Sequence, residues 1–97
     1  MSTTPDLGPL LHAIADPARR RILETLKETT KHSTSKNGLC AGDIEARVKL
    51  SQPTVSHHMK VLEKAGLVEV KREGTWRRYQ RNEKSIRLMI QDLKKQI

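Results

Sequence analysis

The chain has 97 residues, with 19 Lys and Arg against 11 Asp and Glu, a formal net charge of +8 and a single cysteine. A chain of that length forms one domain burying roughly 60–65% of its unfolded surface, so added burial against a second copy would help it. Positive charge spread along the sequence points to a nucleic acid or another polyanion, while one cysteine excludes an intrachain disulfide and fits a reducing compartment. With no apolar run of about eighteen residues, signal-peptide pattern or lipidation motif, the expectation is a cytoplasmic protein that avoids membranes.

Met1 to Asp6 is short and polar, a frayed end. Leu7, Leu10, Leu11 and Ile14 trace an apolar stripe at helical spacing, with Pro9 acceptable because it falls in the first turn. Asp16 caps a second helix whose first residue is Pro17 and whose buried residues are Ile22, Leu23 and Leu26. Arg19, Arg20 and Arg21 cluster near its start, either as a solvated face with some phosphate contact or as a dedicated DNA contact. Residues 29–38, TTKHSTSKNG, have no apolar member and read as a flexible surface loop in which His32 is solvated rather than a ligand. Leu39 and Ala41 to Val48 supply the next helix, with Ile44 and Val48 facing inward, and Lys49-Leu50-Ser51 is a turn.

The most specific stretch is Leu50 to Val70, LSQPTVSHHMKVLEKAGLVEV. Ser51 stands at a helix N-cap, its hydroxyl free to accept from a first-turn N–H, and Pro53 is tolerated two residues on. Val55, Met59 and Leu62 form a buried stripe, with His58 as an inward polar residue satisfied in the core. Ser51, Gln52, Thr54, Ser56, His57 and Lys60 occupy the other side, short hydrogen-bonding groups followed by a cation, which suits a helix entering a major groove N-terminus first. This recognition helix covers 51–65 and stops at Ala65-Gly66.

Leu67, Val68 and Val70 open a β-propensive run, Glu73-Gly74-Thr75 turns it, and Trp76 to Arg81 returns with Tyr79, a two-stranded wing over 67–81. Lys71, Arg72, Thr75, Arg77, Arg78 and Arg81 lie on or beside it, placed to straddle phosphates. Residues 83–97 form a last helix with the stripe Ile86, Met89, Ile90, Leu93 and Ile97, which either closes its own core or pairs with a second copy. The whole of 1–97 is thus expected to be one mainly α domain with a small β-hairpin, a winged helix-turn-helix.

Four segments in order, Asp16-Pro17-Ala18-Arg19 with Arg21-Ile22-Leu23, Leu50 to Leu62, Ala65 to Val68, and the wing with Arg72, Glu73, Gly74 and Tyr79, resemble the ArsR/SmtB family of transcriptional repressors. The polar loop is longer than the family pattern. The resemblance implies a homodimer through the first and last helices, with Leu7, Leu10, Leu11, Ile14, Ile86, Met89, Ile90, Leu93 and Ile97 at the interface. It further implies a bacterial or archaeal, nucleoid-associated repressor on double-stranded DNA. Two recognition helices roughly 34–36 Å apart would read an inverted repeat. The DNA-binding set is then Ser51, Gln52, Thr54, Ser56, His57, Lys60, Arg72, Thr75, Arg77 and Arg78.

Metal sensors of that family carry a Cys-x-Cys at the start of the helix-turn-helix. Here Cys40 is followed two residues on by Gly42, and one thiolate cannot hold a soft ion without further ligands. Other members use a carboxylate and histidines on the last helix; this one has Glu83 and Asp92 but no histidine. No cofactor is therefore expected, and a tight metal site is disfavoured. Adjacent His57 and His58 diverge by about 100° on a helix and cannot chelate together, and His12 reads as a partly buried packing residue near the interface. Cys40 is either a small packed thiol or a redox-sensitive one. No phosphate loop, nucleophile motif or cofactor fingerprint supports an enzyme. The competing reading is a winged-helix architectural or protein-interaction module, and the polar outer face of the recognition helix argues against protein contact.

Overall fold

A computed structural model describes residues 5–32 and 38–97, with elements α1 (Gly8–Ala15), α2 (Pro17–His32), β1 (Leu39–Cys40), α3 (Ala41–Val48), α4 (Gln52–Lys64), β2 (Val68–Glu73), β3 (Trp76–Arg81) and α5 (Glu83–Gln96). Asp6 Oδ1 accepts the Gly8 N–H at 2.9 Å and starts α1. Asp16 Oδ1 accepts the Ala18 N–H at 2.7 Å and starts α2 one residue after α1 has ended. Asn82 does the same for α5, its side chain accepting from Ser85 N at 3.1 Å. In each case a short side-chain oxygen satisfies a donor that the first turn leaves orphaned.

Two of the sequence expectations need correction here. α2 runs to His32, so 29–32 are helical and not part of the loop, because Thr29, Thr30, Lys31 and His32 include no Gly or Pro and extending an existing helix costs little. The rest of that stretch, 33–37, and the side chain of His32 lie outside the described residues. The second correction concerns Leu7 and Leu10, assigned above to a dimer interface. They are 8% and 6% exposed and belong to the chain's own core, since eight-residue α1 must bury one face to persist at all.

That core gathers Leu7, Leu10 and Ala13 from the N-terminal segment, Ile22, Leu23 and Leu26 from α2, Ile44 and Val48 from α3, Val55, Met59 and Leu62 from α4, and Leu39, Leu67, Val68 and Tyr79 from the sheet region. The sheet has three strands in the order β1-β3-β2, all antiparallel. Its third strand was not foreseen: Leu39 and Cys40 pair with Tyr79 and Arg78 and tie the start of α3 to the wing. Gly38 makes the approach possible. At φ +86° a Cβ there would lie 2.2 Å from the Tyr79 carbonyl oxygen.

The three consecutive arginines hold helix ends. Arg19 is 6% exposed and donates from Nε to Ala13 O at 2.7 Å and from Nη2 to His12 O at 3.0 Å. Arg20 Nη1 reaches Ile14 O and Ala15 O at 2.6 and 3.2 Å, and Arg21 Nη2 reaches Val48 O at 2.9 Å. They satisfy the unpaired carbonyls that end α1 and α3, where cations are also favoured by the helix dipole.

No residue of α5 is fully buried. Ile86, Met89 and Leu93 rest partly on the core, while Leu88, Ile90 and Ile97 are exposed. Between α5 and the body lies a mainly apolar groove of about 160 Å³, lined by Leu10, Ile14, Leu23, Ile86, Ile90 and Leu93 among others. Among the described residues no helix is long and apolar enough to cross a membrane.

Candidate nucleic-acid interface

Helix α4 begins and ends on firm local signals. Ser51 has an extended backbone and its carbonyl accepts Val55 N–H at 3.0 Å. Its hydroxyl, however, does not accept a backbone N–H; it lies 2.9 Å from the Thr54 hydroxyl, so the expected side-chain cap is not made. At the other end Gly66, at φ +81°, donates to Glu63 O at 3.0 Å, and Leu67 donates to Leu62 O at 3.0 Å. That pair of bonds is a Schellman motif, and it delivers the chain directly into β2. Helix α3 stops on Lys49, itself left-handed at φ 57°, whose N–H bonds Glu45 O.

Between those ends α4 is divided as its periodicity requires. Val55, His58, Met59 and Leu62 are buried; Ser51, Gln52, Thr54, Ser56, His57 and Lys60 are exposed. Gln52 and Ser56 share an open crevice of about 380 Å³ with Thr75, Trp76 and Arg77 of the wing and with Cys40. Five sequence positions spread over 26 residues therefore meet on one surface with Cys40 at its back. Trp76, 62% exposed, was not among the expected site residues. The available signal was an aromatic next to a hairpin turn and flanked by cations, a combination suited to nucleic acid rather than to a core.

The wing's register concentrates its charge. Lys71 pairs with Arg78 and Arg72 with Arg77 across the ladder. Like charges directly opposite one another destabilise a strand pair, so this arrangement favours a polyanion between or upon them. Relief from within the chain is slight: Glu73 lies 4.0 Å from Arg78 Nε, and that nitrogen is buried without a hydrogen bond. Arg81 differs from the others. It pairs with Glu83 and reaches Leu23 O at 3.3 Å, holding the end of the wing to α2, and is not available to straddle phosphates.

On the core side of α4, His58 is 7% exposed and its Nδ1 lies 3.1 Å from Arg19 Nη1. Burial pushes its pKa below the usual histidine range, with Arg19 and His57 adding to the effect and Asp16 opposing it. Asp16 is itself held below the ordinary carboxylate range, first by the Ala18 N–H. His57 lies outside the core with its ring 5.7 Å from that of His58. His12 is exposed rather than half-buried; it contributes its carbonyl to Arg19.

Cys40 is half-buried at the N-cap of α3 and its thiol donates to Asp43 Oδ2 at 3.0 Å. Among the described residues no three His, Cys, Asp or Glu side chains converge to hold a metal ion.

A helix-turn-helix domain family model matches residues 14–71. An arsenical resistance operon repressor of Staphylococcus xylosus is 35% identical over 88 residues, covering 91% of this chain and 77% of that protein. The chain belongs to the ArsR family of transcriptional regulators. An uncharacterised helix-turn-helix-type regulator of Methanocaldococcus jannaschii is 39% identical over 70 residues, 72% of this chain and 71% of the relative. The solved structure of HlyU from Vibrio cholerae superposes with a TM-score of 0.66 at 30% identity, over 88% of this chain and 84% of that one. As an ArsR-family winged helix-turn-helix protein, the chain is a DNA-binding transcriptional repressor by class and not an enzyme. Within the ArsR frame α3 and α4 are the helix-turn-helix and β2–β3 the wing.

Proposed function

We propose that two copies of this chain bind an inverted-repeat operator, each placing the exposed face of α4 in a major groove and its wing against the flanking phosphates. The observation that carries this reading is the juxtaposition of Gln52 and Ser56 with a wing whose cations face each other in two cross-strand pairs. Neutral hydrogen-bonding groups beside uncompensated positive charge match base edges beside a phosphate backbone. Arg72, Arg77 and Arg78 then supply affinity, while Gln52, Ser56 and His57 supply discrimination, with Ser51, Thr54, Lys60 and Thr75 at the margins.

Dimerisation is supported by α5, which leaves Ile90 and Ile97 uncovered, and by Leu11 of α1, 47% exposed. Because Ile14 lines the same groove as Ile90 and Leu93, the two helices offer one apolar face to a second copy. No resident cofactor enters this reading. Gly42 in place of a second thiol and an α5 without histidine disfavour tight transition-metal binding.

If the repressor responds through its own residues, Cys40 is the responding group. Oxidation by peroxide to a sulfenic acid with release of water, or exchange with oxidised glutathione with release of reduced glutathione, would replace the S–H now donated to Asp43 by a bulkier group, next to the β1–β3 pair that abuts Arg78. Peroxide should then weaken operator binding by the wild type and leave Cys40→Ser unaffected, as read by gel shift with and without a thiol reductant.

Selection of bound duplexes from a random DNA library, followed by footprinting at matched salt, tests the main reading. An inverted repeat with two protected half-sites about one helical turn apart is expected. Uniform, sequence-independent binding would replace it with an architectural role.

A further inference from the structure

Arg19 is buried, permanently charged and can only donate hydrogen bonds, so the ring nitrogen 3.1 Å from it must be an acceptor. His58 Nδ1 is therefore unprotonated and its proton sits on Nε2, a tautomer set by the chemistry of the partner. The same guanidinium grips the last turn of α1 through Ala13 O and His12 O, and lies 3.7 Å from Asp16 in the α1–α2 corner. One side chain thus links the helix that carries Gln52, Ser56 and His57 to the corner where α1 hands over to α2. On the opposite side of that link, α1 shares the apolar groove with α5.

We propose that Arg19 and His58 are positioning residues for DNA reading: neutral His58, held through Nδ1, fixes the seating of α4 on the α1–α2 corner, and protonation of the ring releases it. A proton on Nδ1 would face the guanidinium donor, turning a hydrogen bond into a contact between two cations in a buried site. The charges acting on the ring are Arg19 and Asp16 from the α2 end and His57 from α4 itself. Asp16 attracts the added charge, but its carboxylate already serves the Ala18 N–H and Arg19 and is partly exposed. Burial and the two like charges oppose it, so the neutral ring is the form that fits.

The inference rests on α4 being the DNA-reading helix, and its test separates the two. A duplex selected by the wild-type protein at pH 7.5 and a scrambled duplex are titrated by fluorescence anisotropy between pH 8 and pH 5 at constant ionic strength. The ratio of specific to scrambled affinity should fall on acidification for the wild type, at most about tenfold per pH unit for each proton taken up. His58→Asn, which keeps an acceptor near Nδ1 and cannot titrate there, should lose its ratio less steeply than the wild type. Both proteins carry His57, so the difference between them isolates His58. Arg19→Gln should lower the ratio at pH 7.5 and flatten the profile. A wild-type profile shared by His58→Asn overturns the inference, whereas equal affinity for both duplexes at every pH overturns the reading of α4. Should His58→Asn fail to fold, 15N NMR of the wild-type imidazole decides: a proton on Nδ1 at pH 7.5 sinks the proposal.

Discussion

Gln52 and Arg77 line the same crevice but answer different physical demands. An amide can read a base edge, and losing a good bidentate contact is worth about 1–3 kcal/mol of discrimination. Gln52→Ala should therefore weaken binding to the selected duplex by that amount and leave scrambled DNA nearly unchanged. Arg77→Ala should weaken both alike and reduce the steepness of the salt dependence, since it removes a phosphate contact. Equal losses on the two duplexes in Gln52→Ala would mean that α4 does not read sequence. Stability has its own pH signature at this scale. Because the folded state lowers the pKa of His58, its contribution is complete above about pH 6.5 and declines as pH falls from there through the lowered folded value. Asp16, also lowered, adds a second decline below about pH 4. Urea midpoints across that range should drop in two stages, with the first absent from His58→Asn.

At the scale of elements, the weakest-looking strand has an outsized role. Two residues of β1 join Cys40 and the start of α3 to β3, and they depend on a left-handed Gly38 pressed against the Tyr79 carbonyl. Gly38→Ala meets both a φ penalty of about 1–2 kcal/mol and a backbone overlap, so destabilisation above about 2 kcal/mol is expected in chemical unfolding, with hydrogen exchange rising first at Leu39 and Tyr79. A variant as stable as wild type would show that the strand pair is dispensable. This element also marks where sequence reasoning ran out. Helices with a proline-bearing first turn and an apolar stripe, α2 and α4 above all, were legible because start and period agree, although the end of α2, which has no stop residue, and the hydroxyl of Ser51 were misread. β1 was not, since two residues carry no period and their pairing is decided by a partner forty positions away. The arginine triplet failed for a related reason: composition records three cations, whereas only the folded corner reveals carbonyls waiting for them. For the site, the exposed face of α4 could be read from spacing alone; the sorting of wing cations into facing pairs and one internal clamp, Arg81, required the register.

For the whole molecule, the proposed dimer rests on α5. A helix without one fully buried residue gains little by packing on its own chain, and the apolar face it shares with α1 remains open to solvent in the monomer. Ile90→Glu together with Leu93→Glu should shift sedimentation from dimer to monomer and sharply reduce operator affinity, because each half-site then binds alone. An unchanged mass would place the interface elsewhere.

The wing tip offers an opportunity of a different sort. Trp76 is the only tryptophan in the chain, and it stands 62% exposed on the rim between wing and recognition helix. Its emission therefore comes from one known address. Light from that indole registers what arrives at the wing, so engagement of a ligand in the crevice can be followed in an unlabelled protein.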